Sequence, residues 1–299
     1  MRIRSLCSIA VFATVSLFMA AAASAAELKE LARGVWAFVG ENGATNSGFI
    51  ITGKGVVVID TQGPKALAEE LREKIRKTTE EPVVYVVNTH YHGDHTFGNQ
   101  YFGDGIIIAH EKTRDALVKK DEGHRAMFKK FFGEDSLRDF ALTLPDITIT
   151  ERMTLRLGEK TVEIIYAGAK AHTEGDLFVW LPGEKVLFAG DLLYKGRLPL
   201  LNDGESSGAI SAIDAMTSTG ADVYVPGHGA LATKEDALSY RKYLEALRSE
   251  VARMMKEGRG LEEIRSGISL PGYASWDRYR EWLPANAEKV YRELSEGGR

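Results

Sequence analysis

The amino-acid sequence predicts an α/β fold built as one compact domain. Three observations carry that expectation. Short apolar runs alternate along the chain with stretches of helical periodicity. The composition, 44% apolar and 27% charged, is that of an ordinary globular protein and excludes a disordered or polytopic membrane chain. Finally, no internal repeat, low-complexity linker or composition shift marks a boundary after residue 26 of the 299.

Taken in order, the chain opens with a segment expected to be removed. Arg2 and Arg4 give a positive start, and an apolar run from Leu6 to Ala23 follows. Ala23-Ser24-Ala25 then fits a small-x-small cleavage site. This order is the secretory signal pattern, with cleavage after Ala25 or Ala26 and a periplasmic or secreted product. The other reading is an uncleaved anchor, since the run is near the lower length limit for a spanning helix. Cleavage leaves no stable membrane insertion. The only cysteine, Cys7, lies in this segment, so residues 26–299 offer no disulfide, thiolate ligand or cysteine nucleophile. Lys plus Arg number 38 against 42 Asp plus Glu, a net charge of -4. That balance gives no electrostatic reason to expect nucleic acid as a partner.

Strands are expected at Val35–Val39, Thr45–Thr52 and Gly55–Asp60, where β-branched and apolar residues are punctuated by Gly and Asn. Pro64–Lys77 carries Leu67, Leu71 and Ile75 at fourfold spacing and opens on a proline, which predicts an amphipathic helix. Val83–Asn88 is uninterrupted and apolar, as expected of a strand buried on both faces. Ile106–Ala109 is a strand and Lys112–Lys120 a helix. Further strands are expected at Leu155–Leu157, Thr161–Ala167, Leu177–Leu181, Val186–Ala189 and Asp222–Val225. Helices are expected at Ala209–Thr217, Lys234–Lys256 and Trp276–Leu294, the last with a break near Pro284.

Histidine placement points to the chemistry. Of seven histidines, three fall in His90-Tyr91-His92-Gly93-Asp94-His95, directly after the strand Val83–Asn88. Ends of strands are where α/β proteins place ligands. In extended backbone His90 and His92 project to one side, and the Gly93 turn can bring Asp94 and His95 to a second point nearby. Imidazole and carboxylate are the ligands zinc takes where no thiolate is offered, and this set also accepts iron or manganese. His172, Asp191 and His228 repeat the grammar: an apolar strand, a tight glycine turn, then a ligand-type side chain.

On these residues, with Ile59-Asp60-Thr61 as an early strand-and-turn signature, the chain resembles the metallo-β-lactamase-fold superfamily of metal hydrolases. The resemblance implies a four-layer αβ/βα sandwich with the active site along one edge. It also implies a two-metal site and two zinc ions as cofactors. His90, His92 and His172 would hold one ion, and Asp94, His95 and His228 the other, with Asp191 bridging. A shared hydroxide would attack the substrate, and Asp94 would orient it or pass a proton to the leaving group. Aspartate at position 191 is similar to the glyoxalase II, lactonase and phosphodiesterase branches. Cysteine-ligand β-lactamases have a cysteine there. Ala171–Leu177, Gly190–Tyr194 and Arg197–Leu201 resemble exported members associated with quinoprotein dehydrogenase and sulfur-oxidation systems.

The expected function is hydrolysis of a small carbonyl ester, lactone, thioester or lactam. The alternatives are a mononuclear-iron persulfide dioxygenase in the same cage, or a β-lactamase. Tyr194, three residues after Asp191, is either an oxyanion donor, as in lactonase-like members, or a ring packed below the site. Lys195 and Arg197 are either contacts for an anionic substrate or solvated loop charges. Between residues 121 and 140, the Met127/Phe131 and Phe128/Phe132 pairs predict a short amphipathic helix. It is either an apolar wall over the site or a helix on the flank. His110 and His124 fall outside the motif pattern and are expected to be structural or on the surface. Tyr91 is expected beside the pocket.

Overall fold

A computed structural model of the protein describes residues 26–41 and 44–296. The expected leader, residues 1–25, lies outside them, as does the side chain of Phe131.

The chain first builds a seven-stranded sheet. Its strands are β1 (Glu27–Ala32), β2 (Val35–Val39), β3 (Ser47–Ile51), β4 (Val56–Ile59), β5 (Val83–Val87), β6 (Ile106–His110) and β7 (Ile147–Ile149), in that spatial order. β1 to β4 run antiparallel, and β4 to β7 parallel. The parallel crossovers carry the helices α1 (Lys65–Thr78), α2 (Gly93–Thr96), α3 (Glu111–Lys119) and α4 (Asp121–Phe132). A five-stranded sheet follows, from β8 (Arg152–Leu157), β9 (Lys160–Tyr166), β10 (Leu177–Leu181), β11 (Val186–Tyr194) and β12 (Val223–His228). The helices α5 (Ser206–Thr217), α6 (Lys234–Lys256), α7 (Leu261–Gly267) and α8 (Tyr279–Glu296) complete the chain.

Strand alternation decides the layers. Along β4, Val57 and Ile59 face the other sheet while Val56 and Val58 face α1. The first pair packs with Val162, Ile164, Leu177, Val179 and Phe188 in the core between the sheets. The second pair packs with Ala68, Leu71 and Ile75 of α1. Beyond the second sheet, Leu187 and Ala189 pack with Ile213, Tyr240, Tyr243, Leu247 and Val290 from the C-terminal helices. The result is helices, sheet, sheet, helices: the four-layer sandwich that the resemblance implies.

Four expectations are corrected. Only Val86 and Val87 of β5 are fully buried; Val83, Val84 and Tyr85 are half-buried. β11 does not stop at Ala189. It bulges at Gly190 and pairs with β12 through Tyr194, so Asp191 lies inside a strand and not at its end. The last helix starts at Tyr279, since residues 276–278 are claimed by the loop after β11: Asp277 N–H donates to Gly196 O, and Leu198 N–H to Asp277 O. That helix runs through Pro284 without ending, forgoing one backbone bond while Leu283, Ala287 and Val290 stay packed in the core.

Candidate metal centre

The carboxyl ends of the parallel strands β4, β5 and β12, with the bulged β11 and the β9–β10 loop, meet at one edge of the sandwich. They bring all seven expected residues together. His90 Nε2, His92 Nδ1, His172 Nε2 and a carboxylate oxygen of Asp191 form one group, and Asp94, His95 and His228 form a second. In the first, His92 Nδ1 lies 3.1 Å from His90 Nε2 and 2.9 Å from His172 Nε2. Asp191 Oδ2 lies 3.2 Å from His172 Nε2 and 3.9 Å from His90 Nε2. In the second, Asp94 Oδ2 lies 3.3 Å from His228 Nε2 and 3.6 Å from His95 Nε2. Asp191 spans both, with Oδ1 3.2 Å from His95 Nε2 and Oδ2 3.5 Å from His228 Nε2.

The surrounding hydrogen bonds fix which ring nitrogens face inward. Thr89 Oγ1 donates its one proton to Asp60 Oδ2 at 2.7 Å, so it must accept from His90 Nδ1 at 3.0 Å. His95 Nδ1 donates to the same Asp60 oxygen at 2.8 Å. Asp203 Oδ2 accepts from His92 Nε2 at 3.3 Å, and Lys120 Nζ braces Asp203 from behind at 3.0 Å. The inward atoms of His90 and His92 are therefore two lone pairs facing one another at 3.1 Å. No proton is left to join them, since Thr89 and Asp203 hold the ring protons on the far nitrogens.

That arrangement is repulsive unless a cation lies between the donors. A tetrahedral zinc ion, with bonds of about 2.0–2.1 Å, spaces its ligands about 3.3–3.4 Å apart. The separations in each group fall around that figure. His95 Nε2 and Asp191 Oδ1 are buried 3.2 Å apart and have no other hydrogen-bond partner, which suits two atoms that share a metal. The residues fit two divalent ions, and carboxylates holding the imidazoles from outside are the usual support of such sites.

Charge is divided between the two groups. Burial lowers His172 to about 3 and, with neighbouring His95, takes His90 well below its ordinary value. Both are neutral ligands at pH 7. Burial also opposes charge on His95 and His228. The carboxylates of Asp191 and Asp94 outweigh it, raising His95 well above its ordinary value and His228 to about 9. In reverse, these imidazoles hold Asp94 and Asp191 well below the carboxylate range, against the pull of burial.

Local sequence explains the placement. Asp60 adopts φ 53° and Gln62 φ 68°, left-handed conformations unusual outside glycine. They turn Asp60 under the histidines and send the Gln62 amide to Thr45 O and Ser47 Oγ. Asp176 ties the His172 loop by accepting from the backbone of His172 and Thr173. Thr45 Oγ1 donates to Asp94 Oδ2 at 2.7 Å. Gly227 is there because a Cβ would lie 1.8 Å from Asp191 Oδ1.

Outside the ligand-type residues the results are mixed. Tyr194 is buried, stacks on His228 and donates from its hydroxyl to Asp191 Oδ2 at 2.6 Å. Tyr91 is buried, with its hydroxyl accepting from Lys120. Lys195 is held away from the cluster by Leu231 O and Asp236. Arg197 lines the cavity above the His/Asp cluster, paired with Asp277. His110 is structural, capping α3 through the Lys112 N–H. Of the two roles expected for His124, the structure shows the buried one: it packs against the cavity with its ring stacked 4.6 Å from that of Tyr91. Sequence reasoning missed Asp203, Lys120 and Thr45. Asp203 is 111 residues from His92, and a lone aspartate in a Gly turn carries no local signal.

Known proteins share this architecture. The Metallo-beta-lactamase superfamily profile matches residues 40–228, a span that includes all seven cluster residues. The chain is 28% identical over 218 residues to the metallo-beta-lactamase type 2 of Bacillus sp. (strain 170), covering 69% of this chain and 77% of that one. It is 30% identical over 172 residues to the metallo-beta-lactamase type 2 of Bacillus cereus, covering 56% and 60%. Its fold is similar to that of a metallo-beta-lactamase from Pontibacter korlensis, with a TM-score of 0.63, 22% identity and coverage of 74% and 99%. The chain belongs to the metallo-beta-lactamase superfamily, a superfamily of metal-dependent hydrolases.

Proposed function

We propose that the protein is an exported dinuclear zinc hydrolase acting on a small carbonyl ester, lactone, thioester or lactam. The observation that carries this reading is the pair of inward lone pairs on His90 and His92 in one group of donors, with a second group beside it at similar spacing. Two bound ions would supply an acidified water and a polarised carbonyl oxygen at neutral pH.

The chain's own residues supply the rest. Asp60, Thr89 and Asp203 hold the histidines in the donor tautomer. Asp94 is ionised and anchored by Thr45, so its carboxylate can take a proton from the attacking water and hand it to the leaving group. The Tyr194 hydroxyl, now on Asp191, can turn its donation to the developing oxyanion. Residues 1–25 would direct export.

A β-lactam substrate is a second reading, favoured by the relatives that are themselves metallo-beta-lactamases. The deciding experiment counts metal on purified protein and runs chromogenic esters, thioesters, lactones, phosphodiesters and β-lactams after zinc reconstitution. Two zinc ions per chain with turnover of a carbonyl substrate support the proposal. One iron per chain with oxygen uptake on a persulfide overturns it.

A further inference from the structure

The cavity above the metal cluster has an apolar construction that the hydrolase reading leaves unused. Its volume is about 430 Å³, within the usual range for small-molecule sites. One wall is α4. Met127 and Phe132 are 42% and 49% exposed, and both line this cavity. Large apolar side chains left this open beside a reaction centre have a use when a ligand covers them.

The wall is rigid. Phe132 packs 4.4 Å from Phe128, and Phe128 packs 5.0 Å from the buried Phe97. Phe128 also presses on Gly63, where an added Cβ would lie 2.5 Å from its ring and 2.6 Å from Asp94 Cα. The apolar wall and the metal-bearing turn are therefore packed as one unit. Leu200 and Trp282 line the same cavity. The guanidinium of Arg197 lies 4.9 Å from the Trp282 ring centroid and that of Arg278 5.7 Å. Arg197 is paired with Asp277 and Arg278 with Glu281, so the charge at this rim is matched within the protein.

We propose that the substrate carries a medium-chain alkyl or aryl acyl group, seated between Met127 and Phe132 of α4 and Trp282 of α8, with its carbonyl at the metal cluster. This deepens the hydrolase reading and rests on it. Short acyl groups would reach the metals but leave the wall wet.

The test uses zinc-reconstituted protein and 4-nitrophenyl acetate, butyrate, hexanoate and octanoate. Each methylene buried is worth up to about fourfold in kcat/KM. A rise of at least thirtyfold from acetate to octanoate is expected. A Met127→Ser/Phe132→Ser double variant, altered only at exposed positions, should flatten that rise by more than tenfold. Binding of octanoate and acetate is measured separately by calorimetry, and octanoate is expected to bind at least tenfold tighter.

Equal kcat/KM across the series, with equal binding of the two acids, overturns the proposal while leaving hydrolysis standing. No turnover of any ester, thioester, lactone or β-lactam in the wider panel, with octanoate still preferred, overturns the hydrolase reading and keeps the apolar seat. A wild-type dimer in sedimentation that Phe132→Glu converts to monomer would assign the wall to a second copy of the chain, and the proposal would fall.

Discussion

Replacing Gly227 by alanine tests the bridging geometry with one methyl group. Gly227 has no positive φ, so alanine is not strained by backbone conformation there. The cost is contact alone. The added Cβ would lie 1.8 Å from Asp191 Oδ1, 2.8 Å from the Gly190 carbonyl carbon and 2.9 Å from Asp191 N. Ordinary contact begins near 3.4 Å, so the carboxylate must retreat by about 1.6 Å, the difference of the two distances. Metal–ligand distances tolerate about 0.2 Å. The expected result is a loss of zinc affinity of at least about 100-fold, near 2.7 kcal/mol. Crowding of β11 should also lower stability by about 1–3 kcal/mol. Chelator competition gives the affinity, metal analysis the stoichiometry, and a circular-dichroism melt shows that the fold persists. Gly183→Ala is the control, since a Cβ there meets nothing within 4 Å. A folded Gly227→Ala protein holding two zinc ions at wild-type affinity would refute the argument that Asp191 bridges against this glycine.

Four further outcomes are expected. Asp203→Asn should weaken zinc binding by about 10–100-fold, because the carboxylate that keeps the proton on His92 Nε2 is lost; unchanged chelator competition would remove its positioning role. Zinc uptake at pH 7 should release protons, and affinity should climb with pH and level off above about 9, where His228 is neutral without metal. The sign reverses for the metal-free fold: the stability drawn from charged His228 is full below about 6.5 and fades as pH rises through about 9, which a melt series on chelated protein would read. Tyr194→Phe should keep both zinc ions and lower turnover by about 10²–10³ if its hydroxyl serves the oxyanion; wild-type kcat would leave it a support for Asp191 alone.

The sequence by itself determined the donors and the layers. Uninterrupted apolar runs along β4, β5 and β11 mark strands that enter the interior, and that signal is local because it is read from consecutive residues. His90, His92, Asp94 and His95 fall within six positions, so covalent spacing alone keeps them near one another. His172 and His228 were legible through the strand-and-turn grammar that carries each to an edge; the same grammar singled out Asp191, although it lies within the bulged β11. Tertiary structure alone decided the roles. The bulge at Gly190 places Asp191 between the two groups, and it depends on pairing with a strand more than thirty residues later. Asp203 reaches His92 across 111 residues, Lys120 reaches Asp203 across 83, and His124 meets the cavity only because α4 packs on Phe97. A hydrogen bond or a ring contact between distant segments leaves no period and no spacing behind, since its geometry is set by how whole layers dock, and it becomes readable only when the chain has closed.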